Sequence, residues 1–291
     1  MAAGSTEEGP QFGRQSVGVI GLGMIGGAVA GHVAAAGFPL AVHDLRPGAT
    51  DGIPGAGPVL ADPAAVAAVS EVVLVAVVNA GQVREVLGGE RGLLAAGRDG
   101  LVVGLLSTVE LAEVREFAQL CAEHGATLLD AGVTQAGDGL LVTMVGGPEE
   151  VVARVRPVLA AFSKDVVHCG PLGAGMTTKI ARNIVGYSCW AAVREAMSVA
   201  AAGGVDPGTL LAVLEAAASP RTAPLAMAIR QRDDPATAQY RAPITGALAD
   251  KDLAAAQALA REIGIGTPIV DVIRPFMPAT FEGDFAPVAR T

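Results

Sequence analysis

Val17-Gly18-Val19-Ile20-Gly21-Leu22-Gly23-Met24-Ile25-Gly26 sets a four-residue apolar strand directly ahead of three glycines, and a helix-compatible run continues to Ala36. Strand, glycine turn and helix together form the context in which G-x-G-x-x-G carries physical meaning. Gly21 makes the tight turn, Gly23 lets the backbone approach a pyrophosphate, and Gly26 lets the helix pack closely on the strand. The helix N-terminus then faces the phosphates. Gly21, Leu22, Gly23, Met24, Ile25 and Gly26 are therefore the expected dinucleotide-binding turn. A second strand, Leu40-Ala41-Val42-His43, ends in Asp44, eighteen residues beyond Gly26. That is where a carboxylate grips the adenosine ribose hydroxyls; the plainer reading of Asp44 is a turn or cap residue. Arg46 is placed to hold a 2′-phosphate instead, so NAD is the expected cofactor and NADP the alternative.

The alternation continues downstream. Helix-compatible stretches at 63–70, 81–87, 110–124 and 148–162 separate apolar runs at 72–78, 101–106, 127–129, 140–145 and 166–168. Strands joined by helical crossovers form a doubly wound sheet, and ligands bind outside the carboxyl ends of its strands. Val78-Asn79 and Ser107-Thr108 stand at two such ends. Val78, Asn79 and Thr108 are thus expected to line the cofactor cleft, the alternative for Ser107 or Thr108 being a cap on the next helix. The fold class read from this pattern is α/β, an N-terminal Rossmann-type doubly wound sheet over residues 16–169 followed by an all-α C-terminal domain over 170–291. In the second part, Asp206-Pro207 opens a helix to Ala217. Further helices are expected at 220–231, 243–263 and 268–280, with a charged loop containing two prolines at 232–243. Residues 1–15 are rich in Gly and Glu and lack the basic start of a signal peptide, so they read as a disordered leader.

At the junction runs Gly170-Pro-Leu-Gly-Ala-Gly-Met-Thr-Thr-Lys179-Ile-Ala-Arg-Asn183. Lys179 and Asn183 are four residues apart and share one face of a helix that extends to about Ala202. Ile180, Ile184, Val185, Tyr187, Trp190 and Val193 surround them. A helix that is apolar on nearly every side is expected to be buried. Desolvation lowers a lysine pKa toward the range in which it exchanges protons near neutrality. The plainer alternative is a lysine that snorkels from a helix end to water. The helix is expected to floor a cleft between the two domains.

Half of the 291 residues are apolar but only 3% are aromatic, so the core must rely on small and β-branched side chains. The net charge of −9 opposes binding to nucleic acid or to an anionic membrane surface. Cys121, Cys169 and Cys189 form no C-x-x-C pair, a pattern of the reducing cytoplasm. His32, His43, His124 and His168 lack metal-ligand spacing, so no metal site is expected. The nearest candidate for a membrane span, 184–202, carries Arg194 and Glu195 in its middle. A soluble cytoplasmic protein acting on a small molecule is expected.

Four blocks in this order resemble the β-hydroxyacid dehydrogenases, the group that contains 3-hydroxyisobutyrate dehydrogenase and tartronate semialdehyde reductase and is related to 6-phosphogluconate dehydrogenase. They are Gly21 to Gly26; Asp130-Ala-Gly-Val-Thr-Gln-Ala-Gly137 with Met144-Val-Gly-Gly147; Gly170 to Asn183; and Lys251-Asp252-Leu253. The resemblance covers nearly the whole chain from Val17. It implies a nicotinamide-dependent oxidoreductase in which Lys179 is the general acid/base on the substrate hydroxyl and Asn183 helps hold substrate and lysine. It further implies that Thr134, Gln135 and Ala136 contact the substrate carboxylate, that Lys251 lies beside the cofactor, and that the chain forms a homodimer or homotetramer. The chemistry is consistent: once hydride moves to nicotinamide, only the hydroxyl proton remains to be taken, and one positioned base suffices.

Two positions depart from that family. Its members usually read Ser-Gly-Gly where this chain has Thr134-Gln135-Ala136. Glycines suit an anion-binding backbone nest there, and Gln and Ala in left-handed backbone would cost roughly 1–2 kcal/mol each. An aromatic usually found seven residues before the Lys-Asp-Leu lysine is Ile244 here, which changes the pocket wall. Met24-Ile25 ahead of the third glycine is a smaller departure. A modified substrate pocket on an intact catalytic frame is expected. Two competing functions share the glycine turn. One is an imine reductase-like, NADPH-dependent reductase, a class that generally lacks the lysine. The other is a non-catalytic dinucleotide-binding interaction module, whose known relatives have lost that lysine.

Overall fold

The computed structural model describes residues 15–56, 59–136, 138–218 and 226–281. The expected leader before Gln15 and the start of the helix expected at 220–231 lie outside them. The elements run Val17–Ile20 (β1), Met24–Ala35 (α1), Leu40–His43 (β2), Pro63–Val69 (α2), Val72–Val75 (β3), Ala80–Gly88 (α3), Val102–Leu105 (β4), Leu111–Glu123 (α4), Thr127–Gln135 (β5), Leu141–Gly146 (β6), Glu149–Phe162 (α5) and Ser163–Gly170 (β7). Helices follow: Ala174–Ala202 (α6), Pro207–Ala217 (α7), Ala226–Asp233 (α8), Pro235–Glu262 (α9), Pro268–Ile273 (α10) and Met277–Thr280 (α11). The α/β reading, a Rossmann-type sheet followed by helices, is borne out.

The strands form one sheet in the order β2-β1-β3-β4-β5-β6-β7. Every neighbouring pair is parallel except β5 and β6, which form an antiparallel hairpin. β1 pairs with β2 on one side and β3 on the other. The winding direction therefore reverses at β1, and a crevice opens at the carboxyl ends of β1 and β3. Strands β1, β3 and β4 are buried along their whole length, as expected where helices cover both faces of a parallel sheet. One core packs α1 and α5 on the sheet, with Val17, Val19, Val29, Val33, Leu159 and Phe162. The opposite core packs α2, α3 and α4, with Ile20, Val66, Leu87, Leu105 and Phe117. Few aromatics are needed because Val, Leu and Ala fill both layers.

The chain divides into two compact units, Met1–Arg182 and Asn183–Thr291. The division falls within α6, later than Gly170, where the strands stop. In the second unit Asp206 caps α7, its carboxylate accepting the N–H groups of Gly208 and Thr209, with Pro207 at the first helical position. Glu195, a charge in the middle of α6, receives the N–H groups of Ile269 and Val270 at 2.8 and 3.0 Å and so caps α10. The loop expected at 232–243 is instead mostly helix, because α9 begins at Pro235. Asp234 caps it by accepting the N–H of Thr237, the same Asp-Pro start as at α7, and Pro243 lies inside the helix. The buried setting expected along α6 holds only for Gly175 and Met176 and is lost beyond them, with Ile180 already exposed. There Ile184, Tyr187 and Trp190 are exposed by 64%, 59% and 69% of their surface.

Candidate active site

The glycine turn has the geometry its spacing requires. Gly21 sits at φ +85°, and a methyl group on it would stand 2.5 Å from the carbonyl oxygen of Ala76. A side chain on Gly26 would run into the carbonyl of Gly21. Gly23 is the N-cap of α1, has no capping side chain, and faces open space. No acidic residue stands in the first turn of α1. The helix therefore presents uncapped amides and a positive dipole end to that space, which suits a pyrophosphate.

Asp44 ends β2 beside this turn. Its carboxylate accepts the N–H of Leu22 at 2.7 Å and that of Arg46 at 2.8 Å. The Arg46 guanidinium pairs with the same carboxylate at 3.0 and 3.1 Å and donates to the carbonyl of Leu22 at 3.0 Å. Burial alone would raise the Asp44 pKa, but the hydrogen bonds from Arg46 and Leu22 prevail and hold it at about 2. An ionised carboxylate is thus locked to the tip of the turn. Gly21, Gly23, Asp44, Arg46, Val78 and Gln82 share the wall of a mainly apolar cleft of about 680 Å³. A cleft of this size, with a few placed polar groups and an uncapped helix end, fits the adenosine diphosphate half of a dinucleotide.

Val78, Asn79 and Thr108 meet in a second recess, of about 630 Å³, at the carboxyl ends of β3 and β4. Asn79 caps α3 by accepting the N–H of Gln82 at 3.0 Å. Ser107 is no helix cap. Its hydroxyl accepts the N–H of Val77 at 2.9 Å and donates to the carbonyl of Val77 at 2.7 Å, joining the two strand ends. The cap of α4 is Glu110, in a reciprocal capping box with Glu113. Ile180 also lines this recess, which places the residue after Lys179 at its edge.

Lys179 is half-buried, and no carboxylate pairs with it among the described residues. Burial, and then the charge of Arg182, push its pKa below the ordinary lysine value. Its stem lies on β5: a methyl on Gly132 would stand 2.7 Å from Lys179 Cβ and 2.9 Å from Cγ. Asp130, Gly132 and Thr134 alternate along β5 and share one face of it. Thr134 therefore stands on the face over which the Lys179 stem runs, about 7 Å along the strand from Gly132. The anchoring roles of Asp130 and Gly132 escape a sequence reading, although a lone buried acid and a strand glycine are themselves signals of close backbone approach.

The backbone strain expected at Gln135 does not arise. Thr134 and Gln135 continue β5 as extended strand, paired with Val142 and Leu141, and the N–H of Ala136 donates to the Leu140 carbonyl at 3.0 Å. The hairpin with β6 keeps Thr134 and Gln135 extended, so Gln135 fits without penalty. Asn183 lies one turn beyond Lys179 on α6, in the second unit. Ile244 and Lys251 both lie on α9, two turns apart; Ile244 is exposed, and Lys251 pairs with Asp252 at 3.2 Å. Thus the first unit brings together the turn with Asp44 and Arg46, Val78 with Asn79 and Thr108, and Lys179 with the face of Thr134. Among the described residues no cluster of His, Cys, Asp and Glu is arranged to hold a metal, and no helix is long and apolar enough to cross a membrane.

Residues 16–170 match the family model described as the NAD binding domain of 6-phosphogluconate dehydrogenase. Residues 173–285 match that described as NAD-binding of NADP-dependent 3-hydroxyisobutyrate dehydrogenase. The chain is similar to the 3-hydroxyisobutyrate dehydrogenase of Pseudomonas aeruginosa, 34% identical over 262 residues, which cover 86% of this chain and 87% of that one. Among solved structures, an oxidoreductase from Mycobacterium avium superposes with a TM-score of 0.82 at 29% identity, covering 92% of this chain and 99% of that one. An imine reductase from Streptomyces aurantiacus reaches a TM-score of 0.74 at 20% identity, over 93% of this chain and 96% of its own, a likeness of fold.

Proposed function

The chain belongs to the β-hydroxyacid dehydrogenase family of NAD(P)-dependent enzymes acting on CH–OH groups, and from that premise we propose that Lys179 is the general acid/base for a short β-hydroxyacid such as 3-hydroxyisobutyrate. The observation that carries this reading is a half-buried amine with no carboxylate partner among the described residues, its stem seated on Gly132 and its pKa lowered. The bound cofactor supplies the hydride acceptor. The rest falls to side chains. The neutral Lys179 amine takes the hydroxyl proton as hydride leaves the carbinol carbon, and in reduction its ammonium returns that proton. Thr134 offers a hydroxyl to the substrate carboxylate, with Gln135 and Ala136 shaping the same end; Asn183 holds substrate and lysine, and Ile244 forms a pocket wall.

For the cofactor we favour NAD. An ionised Asp44 at the tip of β2 suits ribose hydroxyls and repels a 2′-phosphate, and Arg46 is already engaged by that carboxylate. We assign Lys251, on α9, a role in holding the cofactor. Residues 16–169 act as the cofactor domain and 170–291 as the substrate and oligomerisation domain. A cytoplasmic homodimer or homotetramer accords with three free thiols and with a second unit that exposes Ile184, Tyr187, Trp190 and Phe276.

The test is Lys179→Ala assayed on β-hydroxyacids, aldehyde acids, uncharged alcohols and cyclic imines, with both cofactors. Turnover of the preferred hydroxyacid should fall about 10²- to 10⁴-fold, while cofactor binding, followed by quenching of intrinsic fluorescence, stays within about twofold. Undiminished turnover would remove Lys179 from the chemistry. Preferred reduction of imines by the wild type would favour the imine reductase reading that the fold alone permits.

A further inference from the structure

Asp130 is fully buried, yet among the described residues its carboxylate meets no cation. One oxygen accepts the N–H of Gly173 at 2.7 Å, and the other accepts the N–H of Met176 at 2.6 Å. Both amides belong to the entry into α6, where Gly173 adopts φ +92°. The fit around them is backbone against backbone. A methyl on Gly175 would stand 2.5 Å from the Met144 carbonyl oxygen and 2.6 Å from that of Asp130. A methyl on Gly146 would stand 2.5 Å from an Asp130 carboxylate oxygen. The first turn of α6 is therefore seated closely on the backbone of β5 and β6, and the Asp130 carboxylate fastens it there.

We propose that Asp130 is a positioning residue for Lys179: by holding the amides of Gly173 and Met176 on separate oxygens it fixes the height and rotation of α6, and so the place of the Lys179 amine. The proposal rests on the reading of Lys179 as the acid/base. Met176 precedes Lys179 by three residues, less than one turn and about 4.5 Å of rise. Two attachments at different points of a turn define its phase as well as its position, which the single acceptor of a serine cap would not do. Gly132, two residues further along the same strand face, then receives the stem. One strand thus sets both the helix and the side chain it carries. The causes that lower the Lys179 pKa are burial and Arg182, so Asp130 acts on the lysine through geometry and not through its charge. Burial raises the Asp130 carboxyl and the backbone N–H bonds oppose that rise.

Asp130→Asn keeps the volume but turns an amide nitrogen toward an N–H donor, loosening one attachment. A displacement of about 1 Å at a reacting group can cost up to about 100-fold in rate. We expect kcat to fall about 10- to 100-fold, with cofactor affinity unchanged. The pH inflection of kcat/KM should move toward the ordinary lysine value as Lys179 gains water. Competitive acetylation of Lys179 by acetic anhydride, read by peptide mass spectrometry, reports the same shift without any turnover. Asp130→Ser serves if the Asn variant does not fold. A lower melting temperature with kcat, pH inflection and Lys179 acetylation all unchanged would make Asp130 a structural cap and overturn the proposal. If the wild type turns over no hydroxyacid but the variant alters Lys179 acetylation, the positioning stands and the dehydrogenase chemistry assigned to Lys179 falls. If Lys179→Ala abolishes turnover while both Asp130 variants match the wild type in every readout, the reverse holds.

Discussion

Gly132 lies so close beneath the stem of Lys179 that a methyl group on it would stand 2.7 Å from the lysine Cβ and 2.9 Å from Cγ. These atoms are the base of the side chain and cannot swing aside as its tip could, so either α6 or β5 must move. Gly132→Ala should therefore destabilise the protein by about 1–3 kcal/mol, the usual cost of overpacking. It should also lower kcat about 10- to 100-fold through displacement of the amine. Gly132 is not part of the cleft beside Asp44, so cofactor affinity by fluorescence titration should stay within about twofold. An unchanged kcat in a folded Gly132→Ala enzyme would mean that the amine tolerates a shifted stem.

Asp44 offers a second test, because it serves both the turn and the expected ribose contacts. Removing the carboxylate takes an acceptor from the Leu22 N–H and releases Arg46. A hydrogen bond to a charged group contributes about 1.5–3 kcal/mol, so Asp44→Ala should raise the dissociation constant for NAD about 10- to 100-fold. The freed guanidinium should at the same time improve NADP binding, and Asp44→Ala with Arg46→Ala should lose that gain. Isothermal titration with both cofactors decides. A wild type that already prefers NADP would overturn the role given to Asp44. The same carboxyl gives an acid limb to stability. Its folded pKa, about 2, lies below the ordinary aspartate value of 3.8, so its contribution is present above that value and is lost as pH falls toward 2.

Much of this was legible in the sequence because each signal was local. Gly21, Gly23 and Gly26 with a strand before and a helix after left one arrangement of strand, tight turn and helix, and the apolar runs at β3 and β4 are the buried strands they were read as. The place of Asp44, after β2 and against the turn, was legible by its distance from the glycines. What could not be read depends on partners far apart in the chain. Asp130 meets amides more than forty residues away, and nothing in its immediate neighbours announces a cap. The strain expected at Gln135 failed because a hairpin with β6 keeps that stretch extended, a constraint imposed from outside the segment. The helix starting at Pro235 was hidden by Pro243, which reads as a breaker but is accommodated within α9. The exposed apolar residues of α6 show the same limit: hydrophobicity told that a face is to be covered, not what covers it.

The lowered pKa of Lys179 predicts how activity and stability should respond to pH. On the acid/base role proposed for Lys179, the neutral amine is the reactive form in oxidation, so kcat/KM should rise with pH and level off above the Lys179 pKa. That pKa lies below the ordinary value of 10.5 through burial and then through Arg182. In reduction the ammonium donates the proton, so the rate should be level below that pKa and fall above it. The linkage to folding has a definite sign. Because the folded pKa is below the unfolded one, the unfolded chain holds more protons between the two values, and stability rises with pH across that window. Below it, burying the ammonium costs stability. Lys179→Met keeps an unbranched stem of similar reach and removes the charge. Its melting temperature at pH 7 should exceed that of the wild type by roughly 1–2 °C, with turnover abolished. The gap should narrow as pH is raised toward the ordinary lysine value. Melting curves of both proteins over that range, beside the pH profile of the wild type, form the check. A variant that melts lower than the wild type at neutral pH would show that the fold gains from this charge, and the pressure on Lys179 to lose its proton would be gone.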